Sequence, residues 1–167
     1  MSSYMEKILR NINSSPQKTR VLTWTSTACA ITVALFFGVQ LALHLLAGEY
    51  VTAATVAVTA AIGYITVGVA RRVLNAPRPY ELYDFFENIP THKPGRSFPS
   101  RHAYSAFVIA TLAWLVHPAV SIALFILAIL ICVTRVLTGL HFIRDVVAGA
   151  LIGALTGVIG LLLVYFI

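Results

Sequence analysis

Charge is scarce in this sequence. Only 11% of its 167 residues are Asp, Glu, Lys or Arg, and 59% are hydrophobic, where a soluble domain carries about 25% charged residues. That balance excludes a soluble globular domain and predicts an all-α, polytopic membrane protein of one domain. Acidic residues are scarcer still, six against twelve basic ones, for a net charge of +6. Such an excess can mark a nucleic-acid binder. Here the basic residues sit beside apolar runs and not on one soluble face, so anionic lipid head groups and phosphate are the expected partners and nucleic acid is not. Cysteine is limited to Cys29 and Cys132. Both fall in apolar segments and read as small buried hydrophobes, which speaks against a disulfide or a metal site. No internal repeat or low-complexity segment is visible. A cleavable leader is not expected, because the run Val21–Ala47 is too long for a signal core and lacks a small-residue cleavage site before a polar domain.

What is present divides into residues 1–20, an amphipathic segment, and residues 21–167, a transmembrane helical bundle. In the first, Met5, Ile8, Leu9 and Ile12 recur at helical spacing with Lys7 and Arg10 opposite, which fits a helix lying on the membrane. Five spans are predicted: Val21–Ala47, Val51–Ala70, a short one from Ser100–His102 to Val116, Ala119–Leu137, and one from about His141 to Ile167. Trp24 and His117 lie near span ends and read as interfacial residues, and His44, near the end of the first span, reads as interfacial or paired in the bundle. Gly149, Gly153 and Gly157, at four-residue spacing, form a close-packing stripe. The one long connection is Arg71–Pro99, and long connections in compact domains are usually functional or disordered. Pro77 and Pro79 disfavour a continuous helix around Arg78. Tyr80–Glu87 is expected to form an interfacial helix with Leu82, Phe85 and Phe86 on one face. His92 and Lys93 either meet a head group or belong to a solvated loop.

Polar groups in this setting need a chemical reason. The sequence gathers Arg71, Arg78, Arg101 and Arg135 around the stretch Ser97–His102, with His141 and Asp145 further on. Ser100 follows Pro99 and precedes an apolar helical run, so it reads as an N-cap. A helix N-terminus offers unpaired N–H groups and a positive dipole end to an anion. The four arginines can add forked, charge-assisted hydrogen bonds to phosphate oxygens. Arg72, Arg96 and Arg144 are assigned to topology and head-group contact. His141 and Asp145 are four residues apart, so on a helix they share a face, and the carboxylate can hold one ring nitrogen while the other attacks. His102, on another helix, can give a proton to the leaving oxygen. A metal held by the two histidines is the alternative, disfavoured by the single nearby carboxylate and the arginines.

These residues resemble the motifs of the type 2 phosphatidic acid phosphatase superfamily, which includes lipid phosphatases, glucose-6-phosphatase and vanadium haloperoxidases. The family's Lys, six residues, Arg-Pro is matched by Arg71 and Arg78-Pro79. Its Pro-Ser-Gly-His is matched by Pro99-Ser100-Arg101-His102. Its Ser-Arg, five residues, His, three residues, Asp is matched by Thr134-Arg135, His141 and Asp145. Three motifs in order, over roughly residues 71–150, are a specific signal. Arg71 replaces a lysine, Thr134 a serine, and Arg101 a glycine, adding a side chain that could help bind a diphosphate or crowd the pocket. The resemblance implies that His141 forms a phosphohistidine, that His102 acts as acid and then base, and that Asp145 orients His141. It implies that Arg71, Arg78, Ser100, Arg101 and Arg135 cradle phosphate, with no metal or other cofactor.

The expected function is therefore an integral membrane phosphatase acting on a lipid phosphate or diphosphate. A lipid-phosphate binding or transport protein is the non-enzymatic rival, and it has no need of His102, His141 and Asp145. A phosphotransferase would use the same residues, and a soluble peroxidase is at odds with the spans. Many membrane members have six spans and an outward-facing site, whereas five are predicted here, one fewer at the N-terminus. The tail, the Arg71–Pro99 loop and the Thr138–Leu140 loop then share a side with all twelve Lys and Arg. The positive-inside rule places that side, and the site, in the cytoplasm. Leaving out the candidate arginines still leaves Lys7, Arg10, Lys18, Arg20, Arg72, Lys93, Arg96 and Arg144 on it.

Overall fold

In a computed structural model, which describes residues 3–84, 86 and 94–167, the chain is a bundle of helices with no strand among the described residues. The order is α1 (Ser3–Asn13), α2 (Pro16–Leu46), α3 (Tyr50–Leu74), α4 (Pro79–Leu82), α5 (Arg101–Leu112) with a 3-10 turn at Ala113–Leu115, α6 (Pro118–Leu137) and α7 (Ile143–Phe166). By length and hydropathy, α2, α3–α4, α6 and α7 can each cross a membrane. Their outward faces carry exposed Leu35, Ile62, Ile126 and Leu155, which suits contact with lipid.

The third predicted span differs. At 12 residues plus a 3-10 turn, α5 is too short for a full crossing, and Ala103, Tyr104, Ala106 and Val108 through Leu112 are all buried. It is the centre of the bundle, wrapped by α7, α6, α3 and α2. Hydropathy alone cannot separate a helix buried in protein from one facing lipid. The stripe Gly149, Gly153 and Gly157 faces it. A Cβ at Gly149 would strike the Ser100 carbonyl oxygen, and one at Gly157 would lie 2.5 Å from Thr111 Cβ.

The helix ends follow local chemistry. Pro16 and Pro118 occupy first turns, where a missing N–H costs nothing. His117 caps α6, its Nδ1 accepting from Ala119 N at 3.2 Å. Asn75, left-handed at φ 38°, stops α3. The expected second span ended at Ala70, but α3 continues to Leu74 and holds Arg71 and Arg72 in its last turn, where cations complement the helix dipole. Similarly, α2 starts at Pro16, ahead of Val21, and α7 starts at Ile143, after His141. The expected interfacial helix Tyr80–Glu87 is reduced to Pro79–Leu82, with Tyr83 extended. Phe85, Glu87, His92 and Lys93 lie outside the described residues.

Helix α1 packs against the bundle. Leu9 and Asn13 are buried, and Asn13 Nδ2 donates to the Leu9 and Leu137 carbonyls at 2.9 and 3.0 Å. One of α6's unpaired C-terminal carbonyls is thereby satisfied, and α1 is pinned to the end of the bundle that carries the motif residues. At the other end, His44 Nδ1 meets Glu49 Oε2 at 2.7 Å.

Candidate active site

Three segments converge at the α1 end of the bundle: the last turn of α3, the N-terminus of α5, and the α6–α7 junction. The first contact is backbone to backbone, with Ser100 N donating to the Asp145 carbonyl at 2.9 Å. Ser100 is fully buried, and its Oγ accepts from Ala103 N at 3.5 Å, capping α5. With Ala103 N capped, Arg101 and His102 supply the remaining first-turn amides, which no intrahelical carbonyl can reach.

His141 and Asp145 come together differently from the shared helix face that their spacing suggests. His141 precedes α7, in the turn after α6, where its amide donates to the Arg135 carbonyl at 3.2 Å. Asp145 sits in the first turn of α7, and its Oδ2 accepts from Phe142 N at 3.0 Å. His141 Nδ1 is 3.7 Å from Asp145 Oδ2, beyond hydrogen-bond length. The Ser97 hydroxyl stands between them, donating to Asp145 Oδ2 and lying 3.4 Å from His141 Nδ1. Both Ser97 and Asp145 are fully buried, and His141 is 2% exposed. The Ser97 hydroxyl and, behind it, the Asp145 carboxylate thus face Nδ1 of His141, across the ring from Nε2. Burial pushes the His141 pKa below its ordinary value, with Asp145 pulling the other way; a neutral ring is the nucleophilic form.

The arginines have distinct postures. Arg71 is buried and uses Nη1 on the Ser97 and Pro99 carbonyls at 3.3 and 2.7 Å, holding the loop that presents Ser97 and Ser100. Arg78 donates Nε to the Gly95 carbonyl at 3.0 Å, while Glu81 Oε1 accepts from Arg78 N and Gly95 N. Arg101 is exposed, its guanidinium 5.5 Å from the Tyr64 ring centre, with Nη1 donating to the Tyr64 hydroxyl at 3.3 Å. Arg135 Nε is buried with no partner among the described residues. His102, exposed, lies within electrostatic reach of Arg135, His141, Arg101 and Arg71.

Three cavities open here. His141 lines one of about 290 Å³, with Pro79, Phe86 and Arg144. Another, of about 400 Å³, is lined by Arg71, Arg72, Arg78, Arg96 and Arg101, with no carboxylate among its described lining residues. Sequence reasoning assigned Arg72 and Arg96 elsewhere, since neither falls in a motif. The third, of about 270 Å³, is mostly apolar and lies between helices, lined by Val33, Tyr64, Ile109 and Ile131 with Arg101 and His102 at its polar end. Arg101 borders the last two. Among the described residues, no group of three or more His, Cys, Asp or Glu could hold a metal. Chemically, the arrangement offers an oriented imidazole, a second imidazole within its electrostatic reach, and an arginine-lined cavity that shares Arg101 with an apolar slot.

Known proteins share this architecture. LpxE of Aquifex aeolicus superposes with a TM-score of 0.70 at 28% identity, covering 93% of each chain. A transmembrane PAP2-type phosphatidylglycerolphosphate phosphatase of Bacillus subtilis superposes with a TM-score of 0.72 at 20% identity, covering 99% of this chain and 89% of that one, a likeness of fold. The bacitracin transport permease protein BcrC of Bacillus licheniformis is 32% identical over 79 residues, 47% of this chain and only 39% of that protein. The profile of the PAP2 superfamily matches residues 52–167, which hold every motif residue, and the chain belongs to that superfamily.

Proposed function

We propose that this protein hydrolyses the phosphate or diphosphate of a membrane lipid through a phosphohistidine, without a metal. Family membership supports a membrane phosphatase. The observation that carries the finer reading is a buried histidine whose Nδ1 faces Ser97 and Asp145, within electrostatic reach of Arg71 and Arg78, two of the arginines that line one cavity. His141 Nε2 attacks phosphorus, and the bond to the lipid oxygen breaks. His102 gives that oxygen its proton. Water then attacks the phosphohistidine, His102 takes the proton, and phosphate leaves. Asp145 holds the imidazolium that forms. Arg71, Arg78, Arg135, Ser100 and the α5 amides balance charge on the transferring group, and Arg101 stands where the phosphate site borders the apolar slot. Phosphatidate, phosphatidylglycerophosphate and polyprenyl phosphates or diphosphates are the candidate substrates, approached from the bilayer of the cell's inner membrane on its cytoplasmic side.

Depth supports a lipid substrate. With its 3-10 turn, α5 rises about 24 Å, and the 20-residue α6 beside it about 30 Å. The α5 N-terminus is thereby recessed by roughly 6 Å from the end of α6. The test is phosphate release by purified protein from these lipids with chelator present, wild type beside His141→Ala. Release by wild type alone is expected. Equal release by both would remove His141 as nucleophile, and loss of wild-type activity to chelator would remove metal independence.

A further inference from the structure

Arg101 stands where the family motif has glycine, and it borders both the apolar and the arginine-lined cavity. Its guanidinium is fixed by Tyr64 of α3 through the hydroxyl and the ring face. A lipid whose tail fills the apolar slot and whose terminal phosphoryl group enters the arginine cavity must pass this guanidinium. The neighbouring residue, His102, is the proposed proton donor to the leaving oxygen, so Arg101 meets whatever group carries that oxygen.

The cavity itself exceeds the needs of one phosphoryl group. Its 400 Å³ would hold roughly a dozen waters. Its five arginines and the adjoining Glu81 carboxylate face a phosphomonoester that brings about −1.5 to −2 charges, which leaves about two positive charges unbalanced. We propose that Arg101, positioned by Tyr64, is a specificity residue that binds the inner phosphoryl group of a lipid diphosphate, so that diphosphates are preferred over monophosphates. This rests on the phosphatase reading above. The balanced reaction is attack of His141 on the terminal phosphorus, cleavage of its bond to the bridging oxygen, and proton transfer from His102 to that oxygen. Water then releases inorganic phosphate from the histidine. The lipid departs as its monophosphate, with Arg101 stabilising the charge left on the inner phosphoryl group.

A substrate with its second phosphoryl group a glycerol away, such as phosphatidylglycerophosphate, holds that group too far from the leaving oxygen to use Arg101 in this way. The test measures initial phosphate release from farnesyl diphosphate and farnesyl monophosphate, and from phosphatidylglycerophosphate and phosphatidate, by wild type, Arg101→Gln and Tyr64→Phe. The guanidinium is exposed, so Arg101→Gln leaves the packing intact. The expected result is a wild-type preference for the diphosphate, with the diphosphate-to-monophosphate ratio of kcat/KM falling at least tenfold in Arg101→Gln and about threefold in Tyr64→Phe. The ratio for the glycerolipid pair is expected to stay within threefold. Equal losses on both farnesyl lipids, a wild-type preference for the monophosphate, or a ratio change confined to the glycerolipids would each overturn the inference alone. No release from any lipid by folded wild type would overturn the phosphatase reading with it.

Discussion

A buried hydroxyl separates the two residues that the proposed mechanism couples most closely. Ser97 Oγ donates to Asp145 Oδ2 and lies 3.4 Å from His141 Nδ1. Asp145 Oδ1 has no hydrogen-bond partner among the described residues, and Arg144 Nε approaches it at 3.6 Å. With so few partners, each bond to this carboxylate matters to how it faces the imidazole. Ser97→Ala is expected to lower kcat about tenfold, roughly 1.4 kcal/mol of barrier, with KM within twofold, and Ser97→Thr is expected to restore part of the loss. Steady-state kinetics on the preferred lipid checks this. An unchanged kcat, or a KM that rises in step, would show that Ser97 only supports the loop. Sequence spacing made His141, Asp145, His102 and the motif arginines visible as candidates. It could not reveal Ser97's part, because the loop folds back across 44 and 48 residues of chain and is held there by Arg71.

At the scale of elements, α5 and α7 form one unit. The glycines of α7 let the two backbones touch, and the Ser100–Asp145 backbone bond ties their site ends together. A methyl at Gly149 would meet the Ser100 carbonyl oxygen, Ala103 Cβ at 3.1 Å and Ser100 C at 3.3 Å, so α5 must move away and carry Ser100, Arg101 and His102 with it. Overpacking of this kind costs about 1–3 kcal/mol, against up to about 1 kcal/mol gained in helix propensity. Gly149→Ala is therefore expected to lower the Tm and to reduce phosphate release more than tenfold. Gly38→Ala on α2, with nothing within 4 Å of the added carbon, is the control and is expected to leave both unchanged or to raise Tm slightly. Thermal unfolding and turnover of the two variants in the same detergent check it, and equal behaviour would count against close packing as the device that seats α5. The glycine spacing was legible in the sequence, but its partner was not. An apolar stretch looks the same to hydropathy whether lipid or protein surrounds it, and only the shortness of the run after Ser100 hinted that α5 would be enclosed.

Across the whole molecule, charge is segregated by end. Lys93 lies outside the described residues; the other basic residues fall on α1, at the start of α2, at the end of α3, around α4 and the α5 N-terminus, and at the α6–α7 junction. Successive helices alternate direction, so all of these belong to the site end, while the α2–α3 turn, the α5–α6 turn and the end of α7 carry none. Each Lys or Arg near an anionic leaflet contributes about 1 kcal/mol. Lys7, Arg10, Lys18, Arg20 and Arg72 count toward this outside the proposed cradle's motif residues. That bias favours the site end in the cytoplasm and Ile167 on the opposite face. An alkaline phosphatase fused after Ile167 is expected to be active and a green fluorescent protein fused there dark. An Arg10→Cys variant, on an exposed position of α1, is expected to react with an impermeant maleimide only after permeabilisation, against a background in which Cys29 and Cys132 are replaced by alanine. A bright C-terminal fusion with ready labelling of Cys at position 10 in intact cells would invert the topology, move lipid hydrolysis to the outer leaflet, and leave the basic residues serving the phosphate site more than the orientation of the chain.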